Sequence, residues 1–155
     1  VEESGEFHML MGEYHHNIDE KKRLVMPSKF RSELGEQFIL TRGLDKCLFV
    51  YSMDDWNKLV EKLKTLPFTH KDARNFTRFL LSGATVCELD QAGRVSITSP
   101  LIEYAGLTKE CVIIGANDRL EIWSEDSWNK FMEDNIDNLS DIAENLFTSG
   151  DYNAL

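Results

Sequence analysis

The sequence has little of several things that would have narrowed its function quickly. In 155 residues there are three prolines, three cysteines and no long apolar run, and the net charge is −10. No stretch approaches the roughly 20 apolar residues of a membrane-spanning helix, and no signal-peptide pattern appears, so a soluble cytoplasmic protein is expected. Cys47, Cys87 and Cys111 are odd in number and far apart, with no CxxC pair. Neither a disulfide framework nor a zinc site is indicated. Cys47 and Cys111 sit just before or within apolar runs, which suits buried free thiols. There is no glycine-rich phosphate loop, no HExxH and no Ser-His-Asp or Cys-His arrangement. His15-His16 is the only histidine pair, and on a strand the two rings point to opposite faces. No catalytic residue, metal, cofactor or small-molecule substrate is therefore expected, and no membrane partner.

The negative charge is unevenly spread. Residues 121–155 carry nine acids against Lys130 alone, and residues 1–8 add three more. Residues 9–120 hold 16 basic against 15 acidic side chains, and the segment from Lys21 to Arg31 has five basic residues and no acid. A basic loop can meet phosphate on an acidic protein because attraction follows the local field. The simpler reading of such a cluster is a solvated edge that protects a strand.

What the chain does have is a repeat. Asp19-Glu20-Lys21-Lys22-Arg23 recurs as Asp90-Gln91-Ala92-Gly93-Arg94, 71 positions later. At the same shift Leu34-Gly35 matches Ala105-Gly106. Phe38-Ile39-Leu40 matches Val112-Ile113-Ile114, and Trp56-Asn57-Lys58 matches Trp128-Asn129-Lys130 at a shift of 72. The slips fall between strands, where insertions cost least. Each copy is about fifty residues, at the low end of what buries a stable core, so the two are expected to share one.

Each copy reads strand, Asp-x-x-x-Arg turn, strand, short helix, strand, turn, strand, helix. Tyr14, His16 and Ile18 alternate with polar neighbours, and Glu20-Lys21-Lys22 forms a three-residue loop leading to a strand from Arg23 to Met26. Ser28 and Ser99 are candidate helix N-caps, with Gly35 and Gly106 closing their helices. Helices are expected over residues 53–66, 71–82 and 127–132, and an acidic amphipathic helix from Ile136 to Leu146, with residues 148–155 frayed. Trp56 and Trp128 read as core anchors. Four strands from each half suggest one closed β-structure. The segments are residues 1–8 (an expression remnant before Met9), 13–55 (unit 1), 56–82 (helical connection), 84–127 (unit 2), and 128–155 (acidic helix and tail). The fold class is α+β, mainly β.

The paired turns are the candidate site. An Asp opening the loop and an Arg closing it face each other, and the carboxylate can accept from loop N–H groups or from the guanidinium. Asp19 and Asp90 would then brace Arg23 and Arg94 for a partner. Arginine presents a planar fork that matches phosphate oxygens and the O6/N7 edge of guanine, and a two-stranded ribbon or its loop fits the DNA major groove. Lys22 stands where the second copy has Gly93; if it takes the same left-handed conformation the cost is roughly 1 kcal/mol, which a contact made by its side chain would justify.

These residues resemble the MraZ family, bacterial regulators with two AbrB-like (SpoVT-AbrB, swapped-hairpin) units. The matching pieces are Met11-Gly12-Glu13-Tyr14, Ile18-Asp19 through Arg23, Pro27 to Arg31, and Leu40 to Leu44. They continue with Lys71 to Arg74, Arg78, Ser82-Gly83-Ala84, Asp90 to Arg94, and Leu120 to Trp123. The likeness spans about Met9 to Ala143 and is greatest to members from low-GC Gram-positive bacteria. It implies a pseudo-two-fold swapped-hairpin barrel with flanking helices and a ring-like homo-oligomer. It also implies a nucleoid-associated transcriptional regulator that binds repeated boxes in double-stranded DNA upstream of its own division and cell-wall gene cluster. Arg23 and Arg94 inherit the DNA contact, with Lys21, Lys22 and Gln91 following by position in the loops. The competing class is a ring-forming scaffold whose turns are assembly contacts; an enzyme is the third and has no nameable nucleophile or metal set.

Overall fold

The computed structural model describes residues 9–148. Within them the chain forms two compact units that divide between Ser124 and Glu125. The first holds both repeats. Repeat one contributes β1 (Leu10–Asn17), β2 (Arg23–Val25), α1 (Ser28–Leu34), β3 (Phe38–Arg42), β4 (Leu48–Ser52) and α2 (Met53–Lys64). α3 (Lys71–Ser82) connects to repeat two, which gives β5 (Thr85–Cys87), β6 (Arg94–Ser96), α4 (Ser99–Ala105), β7 (Glu110–Asn117) and β8 (Leu120–Ser124).

The strands form a six-stranded antiparallel sheet in the order β1-β7-β8-β4-β3-β5 and a separate ribbon, β2-β6. Exchanging each strand for its counterpart in the other repeat reverses the order and leaves it unchanged. The pseudo-two-fold passes between β4 and β8, where Phe49 faces Glu121, and through the ribbon, where Leu24 faces Val95. The expected α+β, mainly β class holds, and so does the shared core. The expected closed β-structure does not: among the described residues the larger sheet is open, ending on β1 and β5. The strands that could have closed it, β2 and β6, are three residues each and pair with each other instead.

The sequence pattern around Lys21, a strand, a three-residue loop and a strand, reads as a local hairpin, and strand pairing corrects that reading. The turn closes, with the Asp19 N–H donating to the Arg23 carbonyl at 2.9 Å. Beyond it the strands part. β1 runs along β7, Leu10 opposite Asn117 to Asn17 opposite Glu110, while β2 turns to β6. β5 likewise pairs with β3 rather than with β6. Each repeat therefore lends its first strand to the other.

The core lies between the sheet and the ribbon, with α1 and α4 contributing to it. Leu24 and Met26 meet Val95 and Ile97 there, joined by Phe30 and Leu34 from α1, Leu101 and Ala105 from α4, and Phe38, Leu40, Val50, Ile113 and Ile122 from the sheet. Full burial of such side chains contributes about 1.5–3 kcal/mol each, so the apolar contact across the pseudo-two-fold dominates the stability of the unit. Trp56 is buried, as expected of a core anchor. Cys47 and Cys111 are buried free thiols; burial pushes Cys47 far up and Cys111 up to about 11, which keeps both protonated at neutral pH.

Helix ends depart from expectation in two respects. Neither Ser28 nor Ser99 caps its helix: the caps are Pro27 and Thr98, without a side-chain hydrogen bond, and both serines sit inside the first turn. Ser52 does cap α2, accepting from the Asp55 N–H at 3.2 Å. Met53 begins α2 as expected, and it ends at Lys64 rather than Leu66.

The second unit consists of α5 (Glu125–Asn135), a 3-10 turn (Ile136–Asn138) and α6 (Leu139–Thr148), with no buried residue. The expected single acidic helix from Ile136 is thus a 3-10 turn followed by α6. Trp128, expected as a core anchor, is only partly buried and stacks on Phe131, centroids 5.3 Å apart. The expected remnant at residues 1–8 and the tail from 149 onward lie outside the described residues. No helix among the described residues is long and apolar enough to cross a membrane.

Candidate nucleic-acid interface

The two Asp-x-x-x-Arg turns have one architecture. In the first, Asp19 Oδ1 accepts from the Lys21 and Arg23 N–H groups, each at 2.9 Å, and Oδ2 accepts from Arg23 Nε at 2.8 Å. In the second, Asp90 Oδ1 accepts from the Ala92 and Arg94 N–H groups at 2.9 Å, and Oδ2 from Arg94 Nε at 2.8 Å. A short carboxylate at the first position is what the loop needs: one oxygen organises two backbone donors and the other orients the guanidinium. The arginine N–H, then the guanidinium, holds both carboxyls below the usual range.

The fourth position of each loop is left-handed, Lys22 at φ 63° and Gly93 at φ 77°. That was legible by aligning the copies. What was not legible is why it must be so. The Lys22 carbonyl accepts from the Ile97 N–H at 2.9 Å, and the Gly93 carbonyl accepts from the Met26 N–H at 2.8 Å. Each loop turns left-handed to aim one carbonyl at the other repeat, so the two turns are tied to each other by reciprocal backbone bonds.

The ribbon then sets the arginines. Leu24 and Val95 point into the core, so by strand alternation Arg23, Val25, Arg94 and Ser96 face outward. Arg23 pairs with Ser96 and Arg94 with Val25. Both arginines therefore lie on one outward face of a two-stranded ribbon, offset along it by two residues, or roughly 7 Å. Each has its Nε held by its aspartate, and its side chain is about one-third exposed. Their described side-chain hydrogen bonds use Nε and not the Nη groups.

Lys21, Lys22 and Gln91 are exposed on the loops. Lys22 Nζ reaches Ser99 Oγ on α4 at 2.5 Å. Beside the first turn is an open hollow of about 700 Å³, lined by Lys21, Arg23 and, from repeat two, Thr108 and Lys109. Lys109 was missed from the sequence because it lies in a stretch present only in repeat two, though its carbonyl accepts from the Ile18 N–H at 2.8 Å. Arg31 was missed as a site residue as well. Its Nε donates to the Met26 carbonyl at 2.8 Å, and its guanidinium lies against Gly93, where an added Cβ would come within 2.3 Å of it. Its place in a basic stretch and in the matching piece Pro27 to Arg31 were the signals.

Among the described residues no group of three or more His, Cys, Asp and Glu is placed to hold a metal. His15 instead meets Glu13 at 2.8 Å. A network away from the turns is structural: Glu121 accepts from Arg119 Nη2 at 2.8 Å and from Trp123 Nε1 at 3.0 Å, with the Arg119 guanidinium 4.5 Å over Phe49.

The family model described as "MraZ protein, putative antitoxin-like" matches this chain twice, over residues 9–79 and 80–149. Each match takes in one Asp-x-x-x-Arg turn and the strands around it. With the two matches together spanning nearly the whole sequence, the chain belongs to the MraZ family, as two tandem units.

Proposed function

We propose that the chain is a sequence-specific regulator of transcription that reads double-stranded DNA with its two turns. The observation that carries this is the ribbon's outward face: two arginines, each braced by an aspartate, on a two-stranded element of the width that a DNA major groove accepts, about 12 Å. Fixing Nε leaves the Nη pair of each side chain to reach guanine O6/N7 or a phosphate, at reduced entropic cost. Membership of a family of regulatory type supports the reading. Lys21, Lys22 and Gln91 supply loop contacts in it, and Asp19 and Asp90 are positioning residues.

The resemblance extends the reading to AbrB-like swapped-hairpin units, low-GC Gram-positive kin, nucleoid association, and repeated boxes upstream of the chain's own division and cell-wall genes. It also extends to a ring of copies. The open sheet offers a physical route to one. Its two edges, β1 and β5, are equivalent under the pseudo-two-fold, and each is next to exposed apolar side chains, Met9 and Met11 at one and Val86 at the other. An edge that meets a different edge of the next copy gives a head-to-tail contact, which closes into a ring when the rotation allows. Several subunits on adjacent boxes would then multiply modest single affinities.

The test is fluorescence anisotropy on the upstream DNA, wild type against Arg94→Ala, with mass photometry of both proteins. Loss of binding at unchanged oligomer mass is the expected result. Binding retained by Arg94→Ala removes the turns as readers. Loss of the oligomer with the same change favours the scaffold, with the turns as assembly contacts.

A further inference from the structure

Lys22 and Gly93 occupy equivalent positions, and so do Arg31 on α1 and Ile102 on α4. The pseudo-two-fold places the first turn against α4 and the second turn against α1. On one side the turn supplies a lysine, reaching Ser99 at the start of α4, while the helix position is an isoleucine. On the other side the turn has a glycine with no side chain, while the helix position is an arginine whose guanidinium fills the vacated space. At the second turn a side chain at 93 would meet the Arg31 guanidinium where it now lies, so the arginine would have to move to make room. The residues differ, but each turn ends up with one long cation at its left-handed corner.

We infer that Arg31 is the second turn's phosphate contact, taking there the place that Lys22 takes in the first. The inference rests on the DNA-binding reading above and deepens it by assigning a residue from the opposite repeat to the second half-site. Two features favour a phosphate role over a purely structural one. The described hydrogen bonding of Arg31 uses only Nε, leaving the two Nη groups over Gly93, in a loop whose Asp90, Gln91 and Ala92 are exposed. In addition, no acid within that loop stands opposite them, since Asp90 is already taken up by Arg94 and its own backbone. Arginine on the helix also avoids the left-handed strain that a lysine at 93 would bring.

The experiment measures binding to the upstream DNA and to an unrelated duplex across a series of salt concentrations, with thermal unfolding alongside. Removing one phosphate contact lowers the slope of log K against log salt by about one and weakens both duplexes alike. Arg31→Gln, which keeps a polar group of similar reach, is expected to show this with unchanged unfolding. The double change Arg31→Ile with Gly93→Lys rebuilds the first turn's arrangement in the second, and is expected to restore the wild-type slope. An unchanged slope for a folded Arg31→Gln overturns the assignment. A slope lowered by Arg31→Gln that a folded double variant does not restore also overturns the exchange with Lys22. If wild-type protein binds neither duplex, the DNA reading itself falls, a result distinct from either.

Discussion

Lys22 holds φ 63° in the same turn position where Gly93 holds φ 77°. The left-handed region costs a residue with a side chain about 1 kcal/mol or more, part of which glycine gives back as unfolded-state entropy. Lys22→Gly is therefore expected to raise stability slightly, by about 0.5 kcal/mol in a urea titration, while weakening DNA binding. A loss of stability would show instead that the contact with Ser99 outweighs the strain. The aspartates give a pH prediction. Both carboxyls titrate below their ordinary range, so their ionised forms favour the folded state. That contribution is present above the ordinary carboxylate range and disappears as pH falls through the lowered values. Asn at positions 19 and 90 should flatten the fall in unfolding temperature below about pH 4. An acid limb as steep as that of the wild type would place the sensitivity in other carboxylates. At this scale the sequence was informative wherever the copies could be laid over each other: the braces, the arginines and the strained lysine were all legible that way. Arg31 was not, because what gives it a place is a glycine 62 positions away, and no repeat or spacing connects the two.

The bounds of α3, like those of α1, were read correctly at both ends, Lys71 to Ser82, and its C-terminus shows what the sequence withheld. The last carbonyls of a helix need outside donors. Here β3 provides them. Thr41, fully buried, donates from Oγ1 to the Leu80 carbonyl at 2.6 Å, and Arg42 donates from Nη2 to the Phe79 carbonyl at 2.8 Å and to Ser82 Oγ. The guanidinium also lies 4.9 Å over the Phe79 ring. Arg42→Ala is expected to cost about 2 kcal/mol in chemical denaturation and to increase amide exchange at the end of α3. A change under about 0.5 kcal/mol would mean that water replaces the arginine freely. The strands tell the complementary story. Their positions followed from apolar alternation, but their partners did not. Alternation marks a face, while the choice between β2 and β7 as neighbour of β1 is made by contacts more than ninety residues apart.

For the molecule as a whole, the exchange of first strands makes neither repeat complete. Among the described residues β1 finds its ladder only on β7, and β5 only on β3. A protease site placed between Pro67 and His70, in the exposed link between α2 and α3, should therefore leave two fragments that stay together in size-exclusion chromatography and part only in denaturant. Fragments that separate in native buffer would mean that the interleaving adds little to stability. The ends of the sheet belong to this scale too: among the described residues it stops at β1 and β5, the first strand of each repeat.

The reciprocal bonds from Met26 to Gly93 and from Ile97 to Lys22 have an evolutionary consequence. Two identical half-length chains could form the same pair of bonds, but any change in one turn would then appear in both. Carrying both halves on one gene frees each turn to vary alone while the other holds it in place. A lysine can be tried in one loop and a glycine with a borrowed arginine in the other. A tandem chain can thus match two unlike halves of a site, which a pair of identical halves has no means to do.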